Sequence, residues 1–256
     1  VAVYASTSPL LQAWGATDYL LRYPYGCLEQ TASSMTPWLL LHSDQTLRAL
    51  SGKSRQDCAN AAKKGVARIL SMQTGQGGLS YWPGGKKPQL FTSAYGAMML
   101  LKARDAGLDV PEQPLDDVLE YLRRIARSKS RESLTYTSTD FLFALYTLAL
   151  ADKGETGWYT HIANRAESIH PSSRALLAMS ILHSFDARHW KNLARKLLNI
   201  PRPETSVRWN HFGSQARLTA LELMAWRILG DADQVLQRQD KLLAGRKNGH
   251  WLNTQS

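Results

Sequence analysis

Cys27 and Gln30 stand three positions apart in YGCLEQ, with Leu28 and Glu29 between them. A thiolate and a side-chain amide at that spacing have one intramolecular option. Sulfur can attack the amide carbon, expel ammonia and close a small ring containing a thioester. The acyl group so formed is activated, and an incoming amine or hydroxyl can capture it. Such a bond has to be kept from water until it is needed, which an apolar or aromatic enclosure would do. A second chemistry is open to the same thiol. A cysteine nucleophile with a histidine base would make a transferase or hydrolase, and His170, His211 and His250 lie in segments that read as loops. Each of these is more simply a capping or packing residue. A third reading leaves the motif inert, in a purely structural interaction module.

The other cysteine offers no help. Cys58 sits inside the helical pattern RQDCANAAKKGVARIL and reads as a small packed residue. Two cysteines are too few for a disulfide framework and lack the C-x-x-C spacing of a metal site, so no metal and no cofactor are expected. No run of 18 or more apolar residues occurs, and the first residues lack a basic stretch followed by an apolar one and a cleavage site. Neither membrane insertion nor a signal peptide is therefore expected of these 256 residues. The net charge of +10 is dispersed over many short clusters. That reads as solvated outer faces, and nucleic acid is not an expected partner.

The elements that must carry Cys27 are helical and alternate in kind. ASSMTPWLLL, AYGAMMLLKA, DFLFALYTLAL, RALLAMSILHSF and QARLTALELMAWRIL are apolar nearly all round, and each follows a Ser or Thr that can cap a helix. Between them run amphipathic stretches. In LDDVLEYLRRIAR the residues Leu115, Val118, Leu119, Leu122 and Ile125 share one stripe. RQDCANAAKKGVARIL, WYTHIANRAESI, ARHWKNLARKLL and DADQVLQRQDKLL are expected to behave likewise, and SPLLQAWGATDYLL to be the first of the kind. Inner helices lining a core and outer helices covering them make an all-α fold: an α/α toroid of the six-hairpin type, whose last inner helix begins at WLNTQS and breaks off. The whole of 1–256 is expected to be one domain. GQGGLSYWPGG is expected to be a loop or at most a short hairpin. All inner N-termini then share one end, where Tyr81, Trp82, Phe91, Tyr136, Trp209, Phe212 and Trp251 would gather around Cys27.

YGCLEQ resembles the thioester motif of the alpha-macroglobulin family, and most closely its bacterial members, in which CLEQ takes the place of the vertebrate CGEQ. GGLSYWPGG, AYGAMMLLKARDAGLDVP, FGSQARLTALELMA and WLNTQS are similar to successive pieces of the same domain, so the resemblance runs the length of the chain. It implies that Cys27 supplies the sulfur and Gln30 the acyl carbon. Leu28 and Glu29 would span the ring, and Gly26 would relieve crowding where the loop turns. Tyr23 and Tyr25 would be the candidates to shield the bond, and Pro37 would bend or restart the helix that follows. The function implied is a single-use covalent protease trap, not a turnover enzyme. A bait region elsewhere in a larger chain is cut, and the exposed thioester acylates a lysine of the attacking protease. Partners would be target proteases and neighbouring domains of the same chain, in a periplasmic parent that is commonly lipid-anchored. Complement relatives carry a histidine that promotes transfer to hydroxyls. SRESLTYTSTD, at the comparable place, has none, which favours amines.

Overall fold

The computed structural model describes residue 21 and residues 26–128, 138–185, 188–201 and 213–246. Among them every regular element is helical, and the sole β feature is an isolated antiparallel bridge between Gln73 and Leu79. The chain forms two compact units, with the boundary between Val118 and Leu119. The segment SPLLQAWGATDYLL (but for Leu21) and the start expected at WLNTQS lie outside the described residues.

The first unit is built on α1 (Leu28–Ser43), the short α2 (Gln45–Ser51), α3 (Arg55–Leu70) and α4 (Leu90–Asp105), with the start of α5 (Glu112–Ser128). Helix α1 is one of the two buried helices of this unit, with α4. Leu28, Ala32, Met35, Leu39 and Leu41 are packed away, and so are Thr31, Ser33 and Ser34. Its polar residues are tolerated because they bond within the helix or to a neighbour: Thr31 Oγ1 donates to the Cys27 carbonyl and Ser34 Oγ to the Thr31 carbonyl. The helix runs through Pro37 without restarting.

Two kinds of contact set the geometry around α1. Helix α3 lies antiparallel to it. Met35 packs against Gly65, where a Cβ would come within 2.2 Å of Met35 Cγ, and His42 Nδ1 meets the Arg55 carbonyl at 3.4 Å. Helix α4 lies parallel, since Ser33 Oγ pairs with Tyr95 Oη at 3.0 Å and Thr36 Oγ1 points at Met99 Sδ at 3.9 Å. A parallel buried pair with an antiparallel cover is the inner–outer arrangement read from the sequence.

The second unit repeats the scheme. It holds the end of α5, then α6 (Thr139–Leu150), α7 (Tyr159–Ala163), α8 (Pro171–Ser184), α9 (Arg188–Asn199), α10 (Gln215–Leu229) and α11 (Ala232–Ala244). Every residue of α6 from Phe141 to Ala149 is buried, as is every residue of α8 from Pro171 to Ile181. The outer α9 buries Ala194, Leu197 and Leu198 alone. Thr139 Oγ1 and Ser173 Oγ lie 3.2 Å apart, so the inner α6 and α8 begin side by side.

WYTHIANRAESI departs from expectation. It is not one amphipathic helix but a 3₁₀ turn (Thr156–Trp158), the short α7 and a second 3₁₀ turn (Ala166–Ser168). Tertiary bonds explain the break. The Trp158 indole N–H donates to the Ala126 carbonyl at 3.2 Å, and Glu155 is held by Arg127 at 2.9 Å and Arg123 at 3.4 Å. The segment is tied at its start to α5 and cannot run on as a straight rod.

Candidate functional site

Helix α1 starts four residues earlier than a cap at Thr31 would place it. Cys27 is the N-cap, with φ −69° and ψ 173°, and Leu28 is the first helical residue. Gln30 therefore occupies the third helical position, from which a side chain can reach back to the N-cap backbone. It does so: Cys27 N–H donates to Gln30 Oε1 at 3.1 Å. The arrangement is a capping box in which sulfur stands where a serine hydroxyl usually does. Cys27 is half-buried, and Gln30 with it.

Gly26 is what lets the amide lie there. A Cβ at Gly26 would come 1.7 Å from Gln30 Oε1 and 2.9 Å from Gln30 Cδ. Its backbone is not in the left-handed region, so the requirement is one of space. The sequence suggests Gly26 as relief of backbone crowding; the crowding it relieves is by the Gln30 side chain.

Three further contacts hold the turn. Leu28 N–H, a first-turn donor with no partner inside the helix, donates to the Tyr81 carbonyl at 2.9 Å. Arg68 Nη2 donates to the Gly26 carbonyl at 3.4 Å. Glu29 is buried, and its carboxylate accepts from Ser33 Oγ at 2.9 Å. Leu28 is fully buried, its Cδ1 lying against Gly96 beside Leu79 and Ile69.

The loop that supplies Tyr81 is itself pinned. Ser80 N–H donates to the Met72 carbonyl, Leu79 N–H to Ser93 Oγ, and Thr92 Oγ1 to the Leu79 carbonyl. Of the aromatics expected at the rim, Tyr81 is half-buried, Trp82 is 56% exposed and Phe91 is buried beside Tyr95. Tyr136, Trp209, Phe212 and Trp251 lie outside the described residues. So do Tyr23, Tyr25, His211 and His250, and most of SRESLTYTSTD.

Chemically, the turn presents a thiol and an acyl carbon on one N-terminal turn. The acyl oxygen already sits on a backbone N–H. Attack by sulfur would place negative charge on that oxygen, where a fixed donor stabilises it. No cluster of His, Cys, Asp and Glu fit for a metal occurs among the described residues.

A family model described as the A-macroglobulin TED domain matches residues 4–132. The chain belongs to this thioester-domain family. It is 29% identical over 215 residues to the alpha-2-macroglobulin of Escherichia coli K12, a match covering 80% of this chain and 13% of that protein. Among solved structures, native E. coli alpha-2-macroglobulin from domain MG7 to the C-terminus superposes with a TM-score of 0.79 at 25% identity, over 95% of this chain and 40% of that one. A Salmonella alpha-2-macroglobulin reacted with methylamine gives 0.79 at 26%, over 95% and 16%. The fold is thus the all-α, α/α toroid of the thioester domain. The chain spans about an eighth of the curated relative's length.

Cys58 is the packed residue that the sequence suggests, and His170, one of the candidate bases, also takes a structural role. Cys58 is fully buried in α3, and burial pushes its thiol pKa up. His170 caps α8: its Nδ1 accepts from Ser172 N–H at 3.1 Å. Burial, then Arg174 and Arg217, hold its pKa below the ordinary 6.5. The cap needs a neutral imidazole, so the folded chain resists a proton that the unfolded chain takes up below about pH 6.5. This contribution is complete above that pH and is lost progressively as pH falls from there through the lower pKa of the folded chain. Replacing His170 with Asn, a cap that does not titrate, should flatten the fall in stability between about pH 7 and pH 5. Denaturant melts of both proteins at the two pH values check it; equal slopes would exclude His170 as a contributor.

Proposed function

We propose that Cys27 and Gln30 close into an internal thioester, and that residues 1–256 form the thioester domain of a bacterial alpha-2-macroglobulin-like protease inhibitor. The observation that carries this is the Gln30 amide held on Cys27 N–H in the space a Gly26 side chain would fill. Family membership and the methylamine-treated Salmonella relative support it. Leu28 and Glu29 bridge the ring, the first anchored in the core and the second on Ser33.

In the larger protein a protease cuts a bait region, the protein rearranges, and a lysine of the protease takes the acyl group from Cys27. The trap acts once. Its partners are the captured protease, bound covalently, and the neighbouring domains of the same chain. The setting is the periplasm, with the parent lipid-anchored. Residues 130–140 contain no His, which supports direct attack by amines. Tyr23 and Tyr25 shield the bond before activation.

Mass spectrometry of the protein at its natural length tests this. The thioester form weighs one ammonia less than the encoded chain. Methylamine should add at Gln30 and free one thiol at Cys27. A cysteine enzyme would turn over substrate without an internal bond, and an inert module would show neither behaviour. In the isolated domain the bond should be absent or hydrolysed, because its covering domains are missing. A protected Cys27 in that fragment, neither titrating as a thiol nor oxidised, would contradict the last point.

A further inference from the structure

The two ends of one peptide unit face different partners at this site. The Gly26 carbonyl accepts from Arg68 Nη2 at 3.4 Å, while the N–H of Cys27, in the same planar unit, donates to Gln30 Oε1 at 3.1 Å. In a trans peptide these groups point opposite ways, so a cation on the carbonyl fixes where the N–H aims. No peptide among the described residues is cis. The bonds also form a chain, guanidinium to carbonyl and N–H to acyl oxygen, and each bond in such a chain polarises the next.

We propose that Arg68 is a positioning residue for the thioester chemistry, acting through the Gly26–Cys27 peptide on the acyl oxygen of Gln30. The proposal rests on the thioester reading. In ring closure the Cys27 sulfur bonds to Gln30 Cδ and negative charge collects on Oε1. The C–N bond then breaks, and the thiol proton leaves with the nitrogen as ammonia. In the later transfer an amine nitrogen bonds to the same carbon, the C–S bond breaks, and the sulfur takes up the proton the amine loses. Both steps load Oε1 with charge. Both are therefore sensitive to how well the Cys27 N–H is aimed and polarised.

Arg68 comes to the turn from elsewhere in the fold. It belongs to the last turn of α3, forty-two positions along the chain from Gly26. An arginine there is favourable to the helix end on its own account. A role confined to that would leave the acyl oxygen untouched, which separates the two explanations.

The test uses the protein at its natural length, as wild type, Arg68→Met and Arg68→Lys, with ¹³C in the Gln30 side-chain carbonyl. Three quantities are read: the rate at which ammonia is lost at Gln30, the rate of thiol release in methylamine, and the infrared stretch of the acyl carbonyl. Removing a direct oxyanion donor costs ~10²–10³ in rate, and an indirect one should cost about tenfold. Arg68→Met should slow both reactions by that factor and raise the carbonyl frequency, since a weaker hydrogen bond stiffens the C=O. Arg68→Lys keeps a cation and should recover part of each. Unchanged rates and an unchanged frequency in Arg68→Met would overturn the role, whatever happens to the melting temperature. Should the Met variant fail to fold, Arg68→Lys decides the matter in its place, because loss of the fork should still shift the frequency measurably and an unshifted one would overturn the role. A wild-type protein with neither mass loss nor methylamine uptake would remove the thioester reading itself, and the Arg68 role with it.

Discussion

Gly26→Ala should abolish thioester formation while leaving the fold in place. The new methyl carbon would lie 1.7 Å from Gln30 Oε1 and 2.9 Å from Cδ, so the amide must leave the place it holds on the Cys27 N–H. Gln30 is half-buried and can swing outward, and the Gly26 backbone is one that alanine adopts without strain. A displacement of about 1 Å from reacting geometry costs on the order of 10²-fold in rate, and this displacement is larger. Thermal stability should fall only by what the lost Cys27 N–H to Gln30 bond contributes, about 1 kcal/mol. Methylamine should release no thiol, and the intact mass should equal that of the encoded chain. A Gly26→Ala protein that still loses ammonia would show that the ring closes from some other arrangement of Gln30.

Leu28→Ala should be the most damaging change to stability within the motif. Leu28 is fully buried and fills the space beside Gly96, Leu79 and Ile69, so truncation leaves a cavity joining α1, α3 and α4. Buried Leu→Ala substitutions cost about 2–5 kcal/mol. In a domain of this size that corresponds to a fall in melting temperature of roughly 5–15 °C. Leu28→Met, which conserves volume, should cost less than about 1.5 kcal/mol. Differential scanning of the three proteins checks it. An Ala variant that melts with wild type would mean that the leucine faces the ring rather than the core.

The alternation of inner and outer helices is legible because burial on all sides excludes charge almost completely. DFLFALYTLAL has one acidic residue, at its first turn, and nothing charged after it. LDDVLEYLRRIAR, with one wet face, cannot be confused with it. The broken segment after Glu155 is not legible, since its amphipathic period is intact and only Trp158 and Glu155, bonded to α5, show why it turns. The start of α1 escapes the sequence for a local reason. Ser, Thr, Asp and Asn are the expected caps, and Thr31 offers itself while a cysteine fills the role. Cys27, Gln30 and Gly26 can be named from the motif. Arg68 and the Tyr81 carbonyl cannot, because each reaches the motif across many intervening residues and carries no local signature.

The bond from Leu28 N–H to the Tyr81 carbonyl bears on when the motif can become reactive. During synthesis the ribosome delivers YGCLEQ long before residue 81, and Arg68 also comes later. A nascent chain that ends before Arg68 has the thiol and the amide but not the frame that shapes the turn between them. If the ring closes as proposed, its closure is scheduled by chain order: it would wait for α3 and the loop beyond it to emerge and dock. On the proposed thioester reading, a newly made chain would pass through its most exposed stage as an ordinary thiol and an ordinary amide, and would acquire its electrophile only when there is a folded body to keep it in.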